Sequence, residues 1–582
     1  MSRRTVSVLP LVFVCLLGVV GDADAQERSG IVHDAEYYIL EAQNGERWAA
    51  EDQDIDARLA ELRQRYGRPP NIIHFMWDDQ PLMAFGDRLY QKIRGYETPH
   101  LNTLAEEGML FARMYTENGC TPSRNAVLTG QLPIRNGVYE IGFPVEYRGM
   151  AAENVTIAEV LSQAGYATGF FGKLHLGDVE QAYPHNQGFD EAFWAVYNQV
   201  FSLWNVEGEA ANAVLGLHEE LLAEDPYKLD NSFVQKGYVG YLEGVKGEQA
   251  REWCGTTKAC YDQFDSEAQR RALAFIRASA EGGKPFYVAW WPQFTSFMPT
   301  PQKTSLQRGL VGDGYESNLD PSVGALMQTL RDLGIAENTL IIAMSDNGPM
   351  THNPPPGGGL GEGPFRGGKG DITEGGVRVA AAAWWPGVIE PDQVVGDIIY
   401  EGDLYTTFAR LAGATQYIPT DRVIDGIDQT SFLLNGEGYS RRDYVFIYSG
   451  PQLAATVKGH IKKHWFAADP LQAASGIGAA YYDLYNDHRE VTPLLIQALH
   501  YKEPFNRMRA RHELWMQRYP NREEARGPAY TGISNARPET LALLIPPVDF
   551  RDLPFDLLEY IEHLDELPFD PVGEPEPGSG KR

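Results

Sequence analysis

The stretch Asn71-Ile72-Ile73-His74-Phe75-Met76-Trp77-Asp78-Asp79 decides how the rest of the chain is read. Its first seven residues are mostly apolar and lack helical spacing, which suits a strand buried on both faces, and the run stops at two carboxylates. Similar runs recur at 109–115, 167–171, 286–291, 339–344 and 377–384, and the one at 339 also ends in polar residues, Ser345-Asp346-Asn347-Gly348. Between them, 99–107, 156–164, 266–280, 321–333 and 403–411 have helical periodicity, several with Ser, Thr or Asp near the start and Gly just after the end. Strands alternating with helices predict an α/β fold, a mostly parallel sheet sandwiched by helices. In such a fold, polar residues at the carboxyl ends of strands mark the place to look for a site.

Outward from this centre the pattern changes. Residues 1–25 carry Arg3 and Arg4, an apolar run from Val6 to Val20 and the small-residue triplet Ala23-Asp24-Ala25, the layout of a cleaved secretory signal. Export to a periplasmic or extracellular compartment is therefore expected. The run is shorter than the roughly 20 apolar residues needed to cross a bilayer, so no stable membrane span is expected. Residues 26–69 read as a charged helical extension and 70–437 as the main α/β domain, interrupted by an insertion at 178–265 expected to lie over one end of the sheet. Residues 438–567 read as a smaller α+β subdomain with antiparallel strands at 444–448, 453–457 and 461–466 and a helix over 495–519. Residues 568–582 read as a loose tail.

Across 582 residues the chain has 50 Lys and Arg against 79 Asp and Glu, a formal charge of −29. That argues against nucleic acid or an anionic membrane surface as partner, since both demand a broad basic face. An anionic substrate would have to meet locally clustered cations. Of the four cysteines, signal cleavage would remove Cys15. In an oxidising compartment Cys254 and Cys260 are close enough to form a disulfide, which leaves Cys120 as the odd one.

Cys120 opens Cys120-Thr121-Pro122-Ser123-Arg124, followed by Asn125-Ala126-Val127-Leu128-Thr129-Gly130. The pentapeptide resembles the C-x-P-x-R signature of the type I sulfatases, in which a dedicated enzyme oxidises the cysteine to formylglycine. A hydrated aldehyde offers two hydroxyls on one carbon, one to attack sulfur and one to expel the sulfate afterwards. A helix starting here would present N–H groups and a favourable dipole to an anion. The pairs Asp78-Asp79 and Asp346-Asn347 match the family's metal positions. Three carboxylates and an amide, all oxygen donors, suit Ca²⁺ or Mg²⁺ better than zinc. Gly172-Lys173-Leu174-His175-Leu176-Gly177 resembles the family's G-K-x-H-x-G segment, where an extended backbone would point Lys173 and His175 to the same side. Gly367-Gly368-Lys369-Gly370, running into Glu374-Gly375-Gly376-Val377-Arg378, resembles the second lysine and its glycine-rich surround.

The resemblance spans about residues 70–466. It implies an alkaline-phosphatase-like fold, one Ca²⁺ per chain, and hydrolysis of aryl or saccharide sulfate esters. By motif, Asp78, Asp79, Asp346, Asn347 and residue 120 would hold the metal, with Arg124 and Lys173 stabilising the nucleophile and the sulfate. His175 would take a proton during sulfate elimination, and Lys369 would bind the sulfate and the leaving oxygen. One position departs: where the family commonly has a histidine after the strand at 285–291, this chain has Ser296, and no histidine lies between Trp291 and Gly348. His352 and Lys369 are then the alternatives for the general acid, or the natural leaving group is acidic enough to need none. Two other functions stay open, a phosphate or phosphonate ester hydrolase of the same fold and, if Cys120 is never converted, a non-catalytic binder of sulfated glycans. Aromatics Trp194, Tyr197, Phe201 and Trp204 could stack on a substrate ring or form local core.

Overall fold

The computed structural model describes residues 30–94, 97–198, 239–293, 319–349, 363–434, 439–466 and 480–544. The expected signal peptide, Phe201, Trp204, Ser296, His352 and the expected tail lie outside these residues. The main-sheet strands are β1 (Asn71–Trp77), β2 (Met109–Tyr115), β4 (Ala167–Lys173), β5 (Glu191–Ala195), β6 (Tyr241–Val245), β7 (Arg251–Cys254), β8 (Phe286–Trp291), β9 (Thr339–Ser345), β10 (Arg378–Trp384), β11 (Gln393–Val395) and β12 (Ile399–Tyr400). They form one eleven-stranded sheet in the order β11-β2-β10-β9-β1-β8-β4-β5-β6-β7, with β12 also beside β2. The central strands β9, β1, β8, β4 and β5 pair in parallel, and antiparallel pairs flank them.

The alternation of side chains along β1 divides the core in two. Ile72 and Met76 pack on one face with Leu340, Ile342 and Trp291, beneath helices Ile157–Gln163 and Asp403–Ala412. Ile73, Phe75 and Trp77 pack on the other with Val288, Trp290 and Ile341, beneath helices Lys258–Glu281 and Asp320–Asp332. Burial on both faces is why β1 reads as an unbroken apolar run. Each fully buried side chain of this size contributes roughly 1.5–3 kcal/mol.

The described residues of 178–265 extend the sheet: β5 joins β4 in parallel, β6 and β7 add antiparallel strands at the edge, and the helix after them begins at Lys258. Cys254 at the end of β7 is disulfide-bonded to Cys260 in that helix. The chain's later part forms a second sheet, β13 (Tyr444–Ser449), β14 (Gln452–Lys458), β15 (Ile461–His464) and β16 (Ala480–Asp483), antiparallel throughout and covered by helix Ala498–Arg518. A two-stranded ribbon pairs β3 (Arg148–Gly149) with β17 (Ala525–Arg526). The N-terminal helix Ala35–Tyr66 is stitched to the C-terminal one: Asp34 accepts from His512 at 2.8 Å, and Glu36 pairs with Arg511 at 2.5 Å. Among the described residues no helix is long and apolar enough to cross a membrane.

Candidate active site

Asp78 and Asp79 leave β1 at its carboxyl end, Asp346 and Asn347 leave its neighbour β9, and Lys173 ends β4 two strands away. The chain can place Lys173 there because of Gly172, whose φ is 131° and where a Cβ would come within 1.7 Å of the Trp291 carbonyl oxygen on β8. Asp79 itself has φ 59°, an unusual conformation for a residue with a side chain. Helix Cys120–Thr129 starts at Cys120 and is buried along its whole length, so its N-terminal N–H groups and dipole face the same space.

The side chains meet there. Arg124 donates to Asp78 at 2.5 Å, to Asp346 at 2.9 Å and to the Lys173 carbonyl oxygen at 2.7 Å, and its guanidinium lies 5.2 Å from the Trp291 ring centre. Lys173 donates to the other Asp78 oxygen at 2.5 Å. Lys369 bridges Asp79 at 2.7 Å and the Cys120 sulfur at 2.8 Å. Asn347 donates to Asp79 at 2.7 Å, while its side-chain amide oxygen is buried without a hydrogen-bond partner. Ligand atoms of Asp78, Cys120 and Asp346 lie within 4.8 Å of one another.

Three buried carboxylates therefore face three cations, and the field sets their protonation. Burial alone would raise the Asp78 carboxyl, but Lys173 and Arg124 overcome it and hold it well below the ordinary range. Burial works against the Lys369 ammonium too, yet Asp79 keeps it charged, well above its ordinary value. Burial pushes the Cys120 thiol up to about 12, with Asp346 adding to it. An unmodified thiol at this position keeps its proton near neutrality and is a weak nucleophile. His175 is held well below its ordinary value by burial and by Lys173, so its ring is neutral.

An independent comparison decides what this constellation belongs to: the sequence model described as Sulfatase matches residues 70–292 and 294–414. The chain belongs to the sulfatase family. This sulfatase is 34% identical to N-acetylgalactosamine-6-sulfatase of Canis lupus familiaris over 412 residues, 69% of this chain and 72% of the relative. It is 34% identical to arylsulfatase A of Homo sapiens over 472 residues, 74% of this chain and 86% of that one. The solved structure of PsFucS1 sulfatase from Pseudoalteromonas sp. superposes with a TM-score of 0.69 at 27% identity, covering 82% of this chain and 96% of the other. The sulfatase is thus a sulfuric ester hydrolase with the alkaline-phosphatase-like fold.

Eight of the residues singled out in the sequence, Asp78, Asp79, Cys120, Arg124, Lys173, Asp346, Asn347 and Lys369, are joined by direct contacts. His175 stands one step back. The expected extended geometry ends at Lys173, because His175 has φ 57°, so the pair does not alternate as strand neighbours. Its Nε2 instead donates to the Gly142 carbonyl oxygen at 2.9 Å, and its Nδ1 is buried without a partner. Trp194 and Tyr197 are buried core residues, Tyr197 edge-on to His175 with ring centres 5.4 Å apart. Sequence reasoning missed Asn198, which donates to Asp78 at 3.0 Å. Its only signal was its place three residues beyond β5, and that strand was itself unread.

Proposed function

We propose that the enzyme releases inorganic sulfate from saccharide sulfate monoesters, with residue 120 matured to formylglycine and one Ca²⁺ held by Asp78, Asp79, Asp346, Asn347 and residue 120. The observation that carries this is the convergence of three carboxylates, three cations and the free Cys120 at one buried point. As the residues stand the charges balance. A divalent ion there would leave a net positive cavity for a sulfate ester, and the partnerless Asn347 oxygen supports an oxygen-loving cation. When bound, the ion supplies Lewis acidity and positive charge.

The chain's own groups do the rest. Lys173 and Lys369 bind and neutralise sulfate oxygens, and Arg124 fixes the carboxylates that face them. Lys369, 2.8 Å from the sulfur of Cys120, lies where negative charge gathers on the reacting oxygen. The neutral His175 ring is available to accept a proton as sulfate is eliminated. The relatives named for N-acetylgalactosamine-6-sulfate support a sugar-borne ester. Maturation requires a formylglycine-generating enzyme as a partner. The disulfide between Cys254 and Cys260 supports export to an oxidising compartment.

The test is the intact mass of the peptide containing residue 120. Conversion of cysteine lowers it by about 18 Da. An unshifted peptide from fully active enzyme would rule out this mechanism.

A further inference from the structure

Phe143 is 57% exposed although the residue before it is anchored deep in the site. The Gly142 N–H donates to the Thr121 hydroxyl at 3.0 Å, next to Cys120, and its carbonyl oxygen accepts from His175 at 2.9 Å. A Cβ at Gly142 would lie 3.2 Å from the Tyr197 ring, so this piece of backbone is fixed. Phe143 is therefore an exposed side chain set directly after backbone anchored beside the reacting residue.

The loop beyond it is strained and tied down. Val145 and Tyr147 have φ of 56° and 57°, a conformation that a β-branched residue such as Val145 rarely adopts. Asp178 holds the turn by accepting from the backbone N–H groups of Glu146 at 3.1 Å and Arg148 at 3.2 Å. Glu146 in turn accepts from the Phe143 N–H at 3.0 Å. Val145 and Tyr147 pack against the main core, so the turn leaves the Phe143 ring on the solvent side of a fixed backbone. Strain of this kind is retained where a side chain must be presented in one place.

The charges around the ring narrow what it can meet. Arg148 is shared among Glu140, Glu146 and Glu524, at 3.2, 2.8 and 3.4 Å, so this rim is net acidic. Carboxylates accept hydrogen bonds from sugar hydroxyls and repel further sulfates or uronates.

We infer that Phe143 is the stacking platform for the sugar ring that carries the scissile sulfate, and that the ring it accepts is a neutral, singly sulfated one. This rests on the sulfatase reading above. The experiment measures sulfate release by the matured full-length enzyme from monosulfated galactose, N-acetylgalactosamine and fucose, from a disulfated disaccharide containing a uronate, and from p-nitrophenyl sulfate. With the best monosaccharide, Phe143→Ala is expected to raise KM about 5- to 10-fold and leave kcat within about twofold, while Phe143→Trp restores KM. Glu140→Gln is expected to improve kcat/KM for the disulfated sugar selectively, most at low salt. An unchanged KM in Phe143→Ala, an effect confined to kcat, or a native preference for the disulfated uronate would overturn the inference while leaving the sulfatase reading intact. Failure of the native enzyme to release sulfate from any of these esters, p-nitrophenyl sulfate included, would overturn that reading instead.

Discussion

Lys462 is buried in the second sheet, yet it is expected to control Lys369 in the active site. Its ammonium lies 3.0 Å from Glu374 and 3.0 Å from Glu490, and all three side chains are fully buried. Glu490 also accepts from the Glu374 backbone N–H at 2.6 Å, capping the short helix Glu374–Val377. That helix supports the loop carrying Lys369. Gly375 donates its N–H to Arg366, Gly376 accepts from Gly348, and a Cβ on Gly348 would come within 1.8 Å of the Gly375 oxygen. Replacing Lys462 with Met would keep the volume and remove the charge. Glu374 would retain Tyr115 at 2.8 Å and Arg378 at 3.3 Å, and Glu490 would retain His464 at 2.7 Å, but the two carboxylates would face each other in a dry interior.

Breaking a buried pair in this way costs about 3–5 kcal/mol. A displacement of Lys369 by about 1 Å would lower kcat/KM by roughly 10²-fold. Burial tends to raise the Glu490 carboxyl, but Lys462 and His464 hold it below its ordinary value. The stabilisation from this pairing is therefore complete above the unfolded carboxylate pKa and fades as pH falls through the lower folded one. Lys462→Met loses that contribution, so its deficit against the native enzyme should be large at pH 7, begin to shrink below about pH 4.5 and close toward pH 2. Denaturant unfolding across that range, with kcat/KM on p-nitrophenyl sulfate, measures both effects. A destabilisation below about 1 kcal/mol at pH 7, with activity intact, would show that the second sheet does not position Lys369.

Four further outcomes are expected. Elemental analysis should find about one Ca²⁺ per chain, and chelation should abolish activity that calcium, not zinc, restores; stoichiometric zinc would favour a phosphatase-like chemistry. Asn198→Ala should lower kcat/KM about 5- to 10-fold through loss of its bond to Asp78 at 3.0 Å, and an unchanged rate would remove Asn198 from the site. Ser296→His should raise rates selectively for poor leaving groups, by up to roughly 10²–10⁴-fold, and a flat plot of native kcat/KM against leaving-group pKa would show that another acid already serves. Glu117 is pushed up to about 7 by burial, although a bond from Tyr400 pulls it down, so the folded state keeps a proton that the unfolded chain has released. Its contribution is present in full below the ordinary value of 4.5 and is lost as pH rises through about 7, so Glu117→Gln should flatten the fall in stability between pH 5 and pH 8.

The central strands were legible because burial on both faces writes itself as unbroken apolar runs: β1, β2 and β8 begin and end at the residues the pattern indicated. β5, β6 and β7 were not legible. They are short, and β6 and β7 carry Glu243, Arg251 and Glu252 near the sheet edge, which breaks up an apolar run. β16 was not legible because its four residues are too few to show alternation. The eight contacting residues of the site were legible through the family's motifs, each of which sits at the end of a strand or the start of a helix. The position of His175 was not, since a left-handed turn one residue beyond Leu174 has no signature in residue type. Nor was the link from Lys462 to Lys369, because it joins segments about ninety residues apart through side chains that look like ordinary surface charges.

The sheet order has a consequence for timing. β1 sits between β8 and β9, so the space over Cys120 cannot close until residue 345 has been synthesised. From residue 120 to residue 345 is about 225 residues, on the order of 10 to 45 s of synthesis at about 5–20 residues/s. In the folded chain the Cys120 side chain is fully enclosed and its thiol keeps its proton. Under the maturation proposed above, the modifying enzyme would work against a deadline set by the position of one strand. Slowing translation between these two points should raise the fraction of chains that emerge active, and faster folding of a more stable variant should lower it.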